Sequence, residues 1–392
     1  MDSDPNNVVV VNWRHAFYLS RSHKLAISKQ ALPALLFSAS QHLLDLQPSL
    51  LLLSSSPSSL LLDTLSLIQH TTQVLTLLNA QHYTAWNIRK QLILLPLASS
   101  HLISSAKDSE TNEHSTEIVN RCQTELKHLA LTLSKRPKSS EAWAHRKWVL
   151  HTLSLHHPLH NAALNVSEEI RLCEYTVNAH KRNYYSWTHR LHVMQLYLLP
   201  ESSTGPQSSH GQTLNLKLVQ EFHRNWNWLR KHTSDASAAH LALIDLKYLG
   251  IQNTIKVLHE DAEKDDEAGL VELLEESRKY LDLYRAGETW WFVRRCLLSH
   301  FIDYCLKHGL ENCEDVLVRE CSTVDVLKSL HPQLLQMANR HLLWILHYYQ
   351  SQLRTKLHPK PFSSTLLAAM ERLVTELEKF SWLARFEPEK PS

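Results

Sequence analysis

The chain has 392 residues, enough for two or three compact domains or one extended array, and 43% of them are apolar. Only 6 are Gly, and with leucine abundant this favours helix over sheet. The 41 Lys and Arg nearly cancel the 39 Asp and Glu, for a formal charge of +2, which argues against nucleic acid or an anionic membrane as the main partner.

Taken in order, residues 1–63 form a segment without internal repetition. Val8–Ser20 fits either a short strand or the start of a helix, and Leu32–Leu46 has helical spacing of its leucines. Val8–Val11 is too short for a signal-peptide core. Ser54–Ser59 reads as a connector. No apolar run approaches the roughly 20 residues of a membrane span, because Leu50–Leu53 and Leu60–Leu62 are interrupted by Ser and Pro. The six Cys (122, 173, 296, 305, 313 and 321) contain no C-x-x-C pair and read as reduced, mostly buried thiols. A cytoplasmic protein without stable membrane insertion is expected.

Residues 64–321 are organised by a repeat. Trp86 is followed three positions later by Arg89, Trp143 by Arg146, Trp187 by Arg190 and Trp291 by Arg294. The Trp positions are 57, 44 and 104 residues apart, so the last interval holds a degenerate copy. Ala239 stands in its Trp slot and Ala242 in its Arg slot. Stripes of helical period flank each copy: Ile118, Cys122, Leu126, Leu129 and Leu133 before Trp143, and Leu270, Leu273, Leu274, Ser277 and Leu281 before Trp291. A single hairpin of this size cannot bury both its stripes, so neighbours must stack. Ala98–Thr116, Pro200–Thr213 and Glu260–Gly269 read as polar loop insertions. Residues 322–392 read as a C-terminal helical cap and tail, in which Ala338–Trp344 does not follow the Trp/Arg register.

Positions i and i+3 share one side of a helix, so each Trp and its Arg address the same neighbour. Burying an indole stabilises by about 4–6 kcal/mol before side-chain entropy is subtracted. A buried guanidinium must find a carboxylate or the carbonyls at a helix C-terminus, here expected in the adjacent hairpin. These pairs therefore read as structural fasteners, with the Ala239/Ala242 copy as the weakest joint.

The pattern Asn183-Tyr184-x-x-Trp187-x-x-Arg190, with its counterparts at Trp86, Trp143 and Trp291, resembles the alpha subunits of protein prenyltransferases over about residues 65–310. The resemblance implies an all-α fold, a right-handed α-α superhelix of antiparallel helical hairpins forming a crescent around a barrel-like beta subunit. It implies transfer of a geranylgeranyl group, ahead of a farnesyl one, to the C-terminal cysteine of a protein substrate. Zinc and geranylgeranyl diphosphate are then expected on a partner beta subunit, of the Rab geranylgeranyltransferase type, and this chain alone is expected to be inert. In agreement, the sequence has no H-E-x-x-H motif and no Gly-rich phosphate loop; the run His156–His160 reads as solvated loop histidines ahead of a metal site.

In that family a basic side chain just before the Asn-Tyr element is lent to the departing diphosphate. Counting five back from Trp143 gives Lys138, and from Trp187 gives Arg182, with Tyr184 offering a hydroxyl nearby. Lys138 is equally readable as an ordinary turn lysine, since Ser139 and Ser140 replace the Asn-Tyr pair, and Tyr184 as a residue packed in the turn. A different class of function, a non-catalytic helical scaffold holding a protein in its concave face, stays open beside the transferase.

Overall fold

The computed structural model describes residues 17–19, 25–52, 59–95, 107–156, 166–197, 209–244, 266–284, 287–308, 313–331, 333, 335–354, 364, 366–368 and 371–372. Two short strands, β1 (Phe17–Leu19) and β2 (Leu25–Ile27), pair antiparallel with Tyr18 opposite Ala26. They resolve Val8–Ser20 towards strand where it is described. Every other described element is helical, so the all-α, hairpin-repeat reading holds.

Clustering divides the chain into residues 1–197 and 198–392. In the first unit α1 (Leu32–Leu52) packs on α2 (Ser59–Leu78), and three hairpins follow. They are α2 with α3 (Tyr83–Leu94), α4 (Lys107–Lys135) with α5 (Ser140–His156), and α6 (Val166–Ala179) with α7 (Tyr184–Tyr197). First helices touch first helices (α2 with α4, α4 with α6), and second helices touch second helices (α3 with α5, α5 with α7). The unit is thus two layers thick. Between them lies a core of Trp86, Ile118, Cys122, Leu129, Leu133, Trp143, Leu150 and Cys173, which is where helical periodicity aimed these side chains.

The second unit contains α8 (Ser209–Lys231), a helix over 236–244 (α9), α10 (Asp266–Leu283) with α11 (Glu288–His308), and α12 (Cys313–Leu330) with α13 (Leu335–Arg354). The sequence boundary after residue 63 falls within α2, and that after 321 within α12.

The polar insertions need correction. Residues 107–116, 209–213 and 266–269 are not loop but the opening turns of α4, α8 and α10. These stretches hold no large apolar residue, so the sequence shows no helical stripe there. The connector at Ser54–Ser58 and the histidines 157–160 lie outside the described residues. All six cysteines are free thiols and all but Cys296 are buried; burial pushes Cys122 and Cys173 up to about 12. Among the described residues no helix is long and apolar enough to cross a membrane.

Candidate functional site

In the first four copies the second helix opens, four residues before its Trp slot, with a side chain that caps it; in the fifth that position is Gly287. His82 accepts from Ala85 N–H at 3.2 Å, Ser139 from Ala142 at 3.3 Å, Asn183 from Ser186 at 3.4 Å and Asp235 from Ala238 at 3.2 Å. Six residues before the Trp, a turn carbonyl receives the indole: Trp86 Nε1 donates to Ala80 at 2.9 Å and Trp143 Nε1 to Pro137 at 2.8 Å. The same two carbonyls also accept from the next cap along. Ser139 Oγ donates to Ala80 at 2.9 Å and Asn183 Nδ2 to Pro137 at 2.7 Å. Consecutive turns are therefore laced together through one oxygen each.

The arginines join the hairpins from inside. Arg89 donates through Nε (2.8 Å) and Nη2 to the Glu125 carboxylate in α4, while Nη1 reaches Thr72 Oγ1 at 3.1 Å and the Gln69 carbonyl at 3.3 Å in α2. Arg146 repeats this with Glu169 (Nε–Oε2 2.7 Å) and the Leu126 carbonyl (2.9 Å). Arg294 repeats it with Glu320 (Nε–Oε1 2.7 Å), Ser277 and the Leu274 carbonyl. The carboxylate is in the adjacent hairpin, as the sequence suggests. The carbonyl is not; it belongs to the first helix of the arginine's own hairpin. Arg190, 2% exposed, lies 3.5 Å from Glu174 and over the Trp187 ring.

A histidine completes each of the three full joints. Nε2 of His145 is 2.8 Å from Glu125, that of His189 is 2.9 Å from Glu169, and that of His341 is 2.6 Å from Glu320. Burial would raise the Glu125 carboxyl, but hydrogen bonds from His145 and the Arg89 charge override it and hold it at about 2. Glu169 is held at about 2 in the same way by Arg146 and His189. Burial pushes all three imidazoles down despite their carboxylates. Their Nδ1 atoms are buried without a partner. An imidazolium would have to leave a charged N–H there unsatisfied, so these rings are neutral and donate through Nε2. The sequence reading missed these residues. The signal was available as His two positions after Trp and Glu eighteen before it, in copies two and three.

With this register the degenerate copy becomes intelligible. The joint between the fourth and fifth copies has Ala242 in the Arg slot, Leu273 in the Glu slot and Val293 in the His slot, all buried. All three charged or polar members are replaced by apolar ones. Removing just one would strand a buried charge, whereas replacing the set is near neutral. The register also extends past Arg294: in α12 and α13 Glu320 and His341 keep their roles, while Asn339 and Leu342 fill the Trp and Arg slots.

The residues singled out for chemistry lie on the turns. Lys138 is exposed, and a cavity of about 570 Å³ beside it is lined by Leu36, Leu78, Lys135, Arg136, Lys138 and His180, among others, with no acidic residue. Lys135, Arg136 and His180 thus join Lys138, a grouping the sequence reading did not make. Arg182 and Tyr184 are exposed on the next turn and do not line this cavity. Tyr184 is 62% exposed, its ring edge-on to Tyr185, so packing within the turn does not bury it. Arg182 has φ 57°, left-handed for a residue with a Cβ. Among the described residues no group of His, Cys, Asp and Glu could hold a metal ion.

Comparison with known proteins agrees with the repeat geometry. Residues 122–153 and 166–197 match the family model described as protein prenyltransferase alpha subunit repeat. The human protein prenyltransferase alpha subunit repeat-containing protein 1 is 30% identical, over 59% of this chain and 59% of its own. The Xenopus laevis protein 1-B is 26% identical over 68% and 56% respectively. The geranylgeranyl transferase type-2 subunit alpha of Candida albicans is 26% identical over 43% and 40%. The chain thus spans less than two thirds of the length of these relatives. Two of its hairpins match the protein prenyltransferase alpha subunit repeat, and the chain is similar to proteins named for that repeat and to prenyltransferase alpha subunits.

Proposed function

We propose that the chain is the alpha-type subunit of a heterodimeric protein prenyltransferase, supporting transfer of a geranylgeranyl group to a C-terminal cysteine of a protein substrate. The observation that carries this reading is the acid-free cavity at the turn edge, where Lys135, Arg136, Lys138 and His180 surround an apolar wall of Leu36 and Leu78. In this reading the beta-type partner brings zinc, which would activate the acceptor thiol, and the geranylgeranyl diphosphate. This chain's own part is electrostatic. Lys138 and its basic neighbours hold fixed positive charge where negative charge develops on a departing diphosphate, and they need no reorganisation to do so. Arg182 and Tyr184 extend the same edge by one turn.

The test is a complex assembled with a beta-type subunit and assayed with labelled geranylgeranyl diphosphate. Lys138→Ala should slow turnover by about tenfold or more while assembly is unchanged. An unaltered rate in the assembled complex removes Lys138 from the chemistry. A second reading, a non-catalytic scaffold for a protein partner, is favoured by the apolar fourth joint and by relatives named for their repeats rather than for a reaction. It predicts a complex that forms and does not transfer.

A further inference from the structure

Two successive turns of the first unit are strongly basic. Between α4 and α5 stand Lys135, Arg136 and Lys138, and between α6 and α7 stand His180, Lys181 and Arg182; all of them are exposed, and neither turn holds an Asp or Glu. The two turns make one surface. Asn183 Nδ2 donates to the Pro137 carbonyl at 2.7 Å, so Lys138 and Arg182, each next in sequence to one partner of this bond, stand on adjoining turns. His180 lines the same cavity as Lys138. Helix C-termini favour cations, but α2 is followed by Asn79, Ala80, Gln81 and His82, with no Lys or Arg. The cations of the next two turns therefore exceed what helix ends require. Arg182 even keeps φ 57°, where glycine would be unstrained. The cavity uses Lys135, Arg136, Lys138 and His180 and leaves Lys181 and Arg182 outside it, beside the exposed Tyr184 and Tyr185.

We infer that Lys181 and Arg182, with the hydroxyls of Tyr184 and Tyr185, bind carboxylate side chains of a polypeptide, and that this polypeptide is the stretch of the acceptor protein beside its C-terminal cysteine. The identity of the stretch rests on the transferase role proposed above. In that reaction the acceptor sulfur bonds to the geranylgeranyl carbon as the carbon–oxygen bond breaks. The electron pair of the broken bond leaves with the diphosphate, and the thiol proton goes to solvent. Sulfur and diphosphate flank one carbon, so with the diphosphate at Lys138 the residues beside the cysteine come within reach of the next turn. Neighbouring packed helices lie about 8–10 Å apart and an extended chain rises about 3.3 Å per residue, so about three residues carry it across. Lysine and arginine there, with no acid between them, are complementary to Asp or Glu in that stretch. A nucleic acid fits less well, because it is held by charge spread along many phosphates, whereas this tract spans two turns of a chain with a formal charge of only +2.

The test uses two fluorescent peptides that end in the same cysteine and differ only in the residues before it, Asp and Glu in one and Asn and Gln in the other. Binding to the full chain is read by anisotropy, and transfer is read in the complex with a beta-type subunit and geranylgeranyl diphosphate. The acidic peptide should bind about tenfold more tightly and be transferred with about tenfold higher kcat/KM, the difference lying in KM. Lys181→Glu should remove the preference in both assays and Lys181→Arg should keep it, with the melting temperature unchanged in each. Equal use of the two peptides, with transfer intact, overturns the inference and leaves the transferase standing. Lys181-dependent binding of the acidic peptide without transfer keeps the carboxylate site and sinks its assignment to an acceptor along with the transferase. The site itself is overturned by equal or absent binding of the two peptides, or by a preference that survives Lys181→Glu. It is also overturned if single-stranded RNA or phosphatidylserine vesicles displace the acidic peptide at lower concentration than its unlabelled form does.

Discussion

Asn183 Nδ2 lies 2.7 Å from the carbonyl oxygen of Pro137, 46 positions earlier in the chain. Through that bond the cap of one second helix is tied to the turn of the hairpin before it. Asn is suited to this because it both accepts and donates: Oδ1 receives the Ser186 N–H while Nδ2 donates. Asn183→Asp should keep the cap yet set a carboxylate against a carbonyl, lowering stability by about 1–3 kcal/mol in urea denaturation. Asn183→Ser should cost much less, since Ser139 performs both tasks one turn earlier.

The buried joints should respond differently to single and to concerted replacement. Glu125→Leu leaves the buried Arg89 charge without its carboxylate and the His145 Nε2–H without its acceptor, and should cost about 3–5 kcal/mol. The triple variant Arg89→Ala, Glu125→Leu, His145→Val copies the residues of the fourth joint, and should recover most of that loss. Equilibrium unfolding of the two variants measures the difference; a triple variant weaker than the single one would refute the matched-set account.

Stability should fall on mild acidification. His128 and His192 are held at about 4 by burial first and then by nearby cations, and His145, His189 and His341 are also lowered. The unfolded chain binds these protons near the ordinary histidine value of about 6.5, while the folded chain refuses them. Their contribution is therefore complete above that value and is lost as pH drops below it. Each such ring adds a slope of at most about 1.4 kcal/mol per pH unit. Glu125 and Glu169, held at about 2, add their losses only below the ordinary glutamate range. Urea midpoints at pH 7.5, 6 and 5 should decrease in order, with a shallower decline for His128→Gln.

Arg182→Gly should leave the fold intact or make it about 1 kcal/mol more stable, because glycine relieves the left-handed backbone at φ 57°. Thermal melts check this. The variant is then a clean probe of the Arg182 charge, since a fall in transfer rate could not be ascribed to unfolding.

The sequence yielded what large side chains at fixed intervals can convey. Trp143 and Arg146 stand out because few other residues do their work, and the stripe from Ile118 to Leu133 has one period. Glu125 and His145 were legible in principle, but their offset from Trp143 spans a turn, and histidine invites a search for metals or catalysis before packing. Residues 107–116 read as loop because a run without apolar residues shows no helical stripe. The grouping of Lys135, Arg136 and His180 around Lys138 needs the stacking of three turns, which no single stretch encodes.

The replacement of one ionic joint by Ala242, Leu273 and Val293 gives the array an internal order of failure. A fastening made of aliphatic groups has no proton to gain, so it is indifferent to acid, while the ionic joints at Glu169 and Glu320 are not. As protons accumulate, the amide protons of α10 and α11 beside that joint should be the last to exchange with solvent. The copy with the most eroded signature is then the one that outlasts the others.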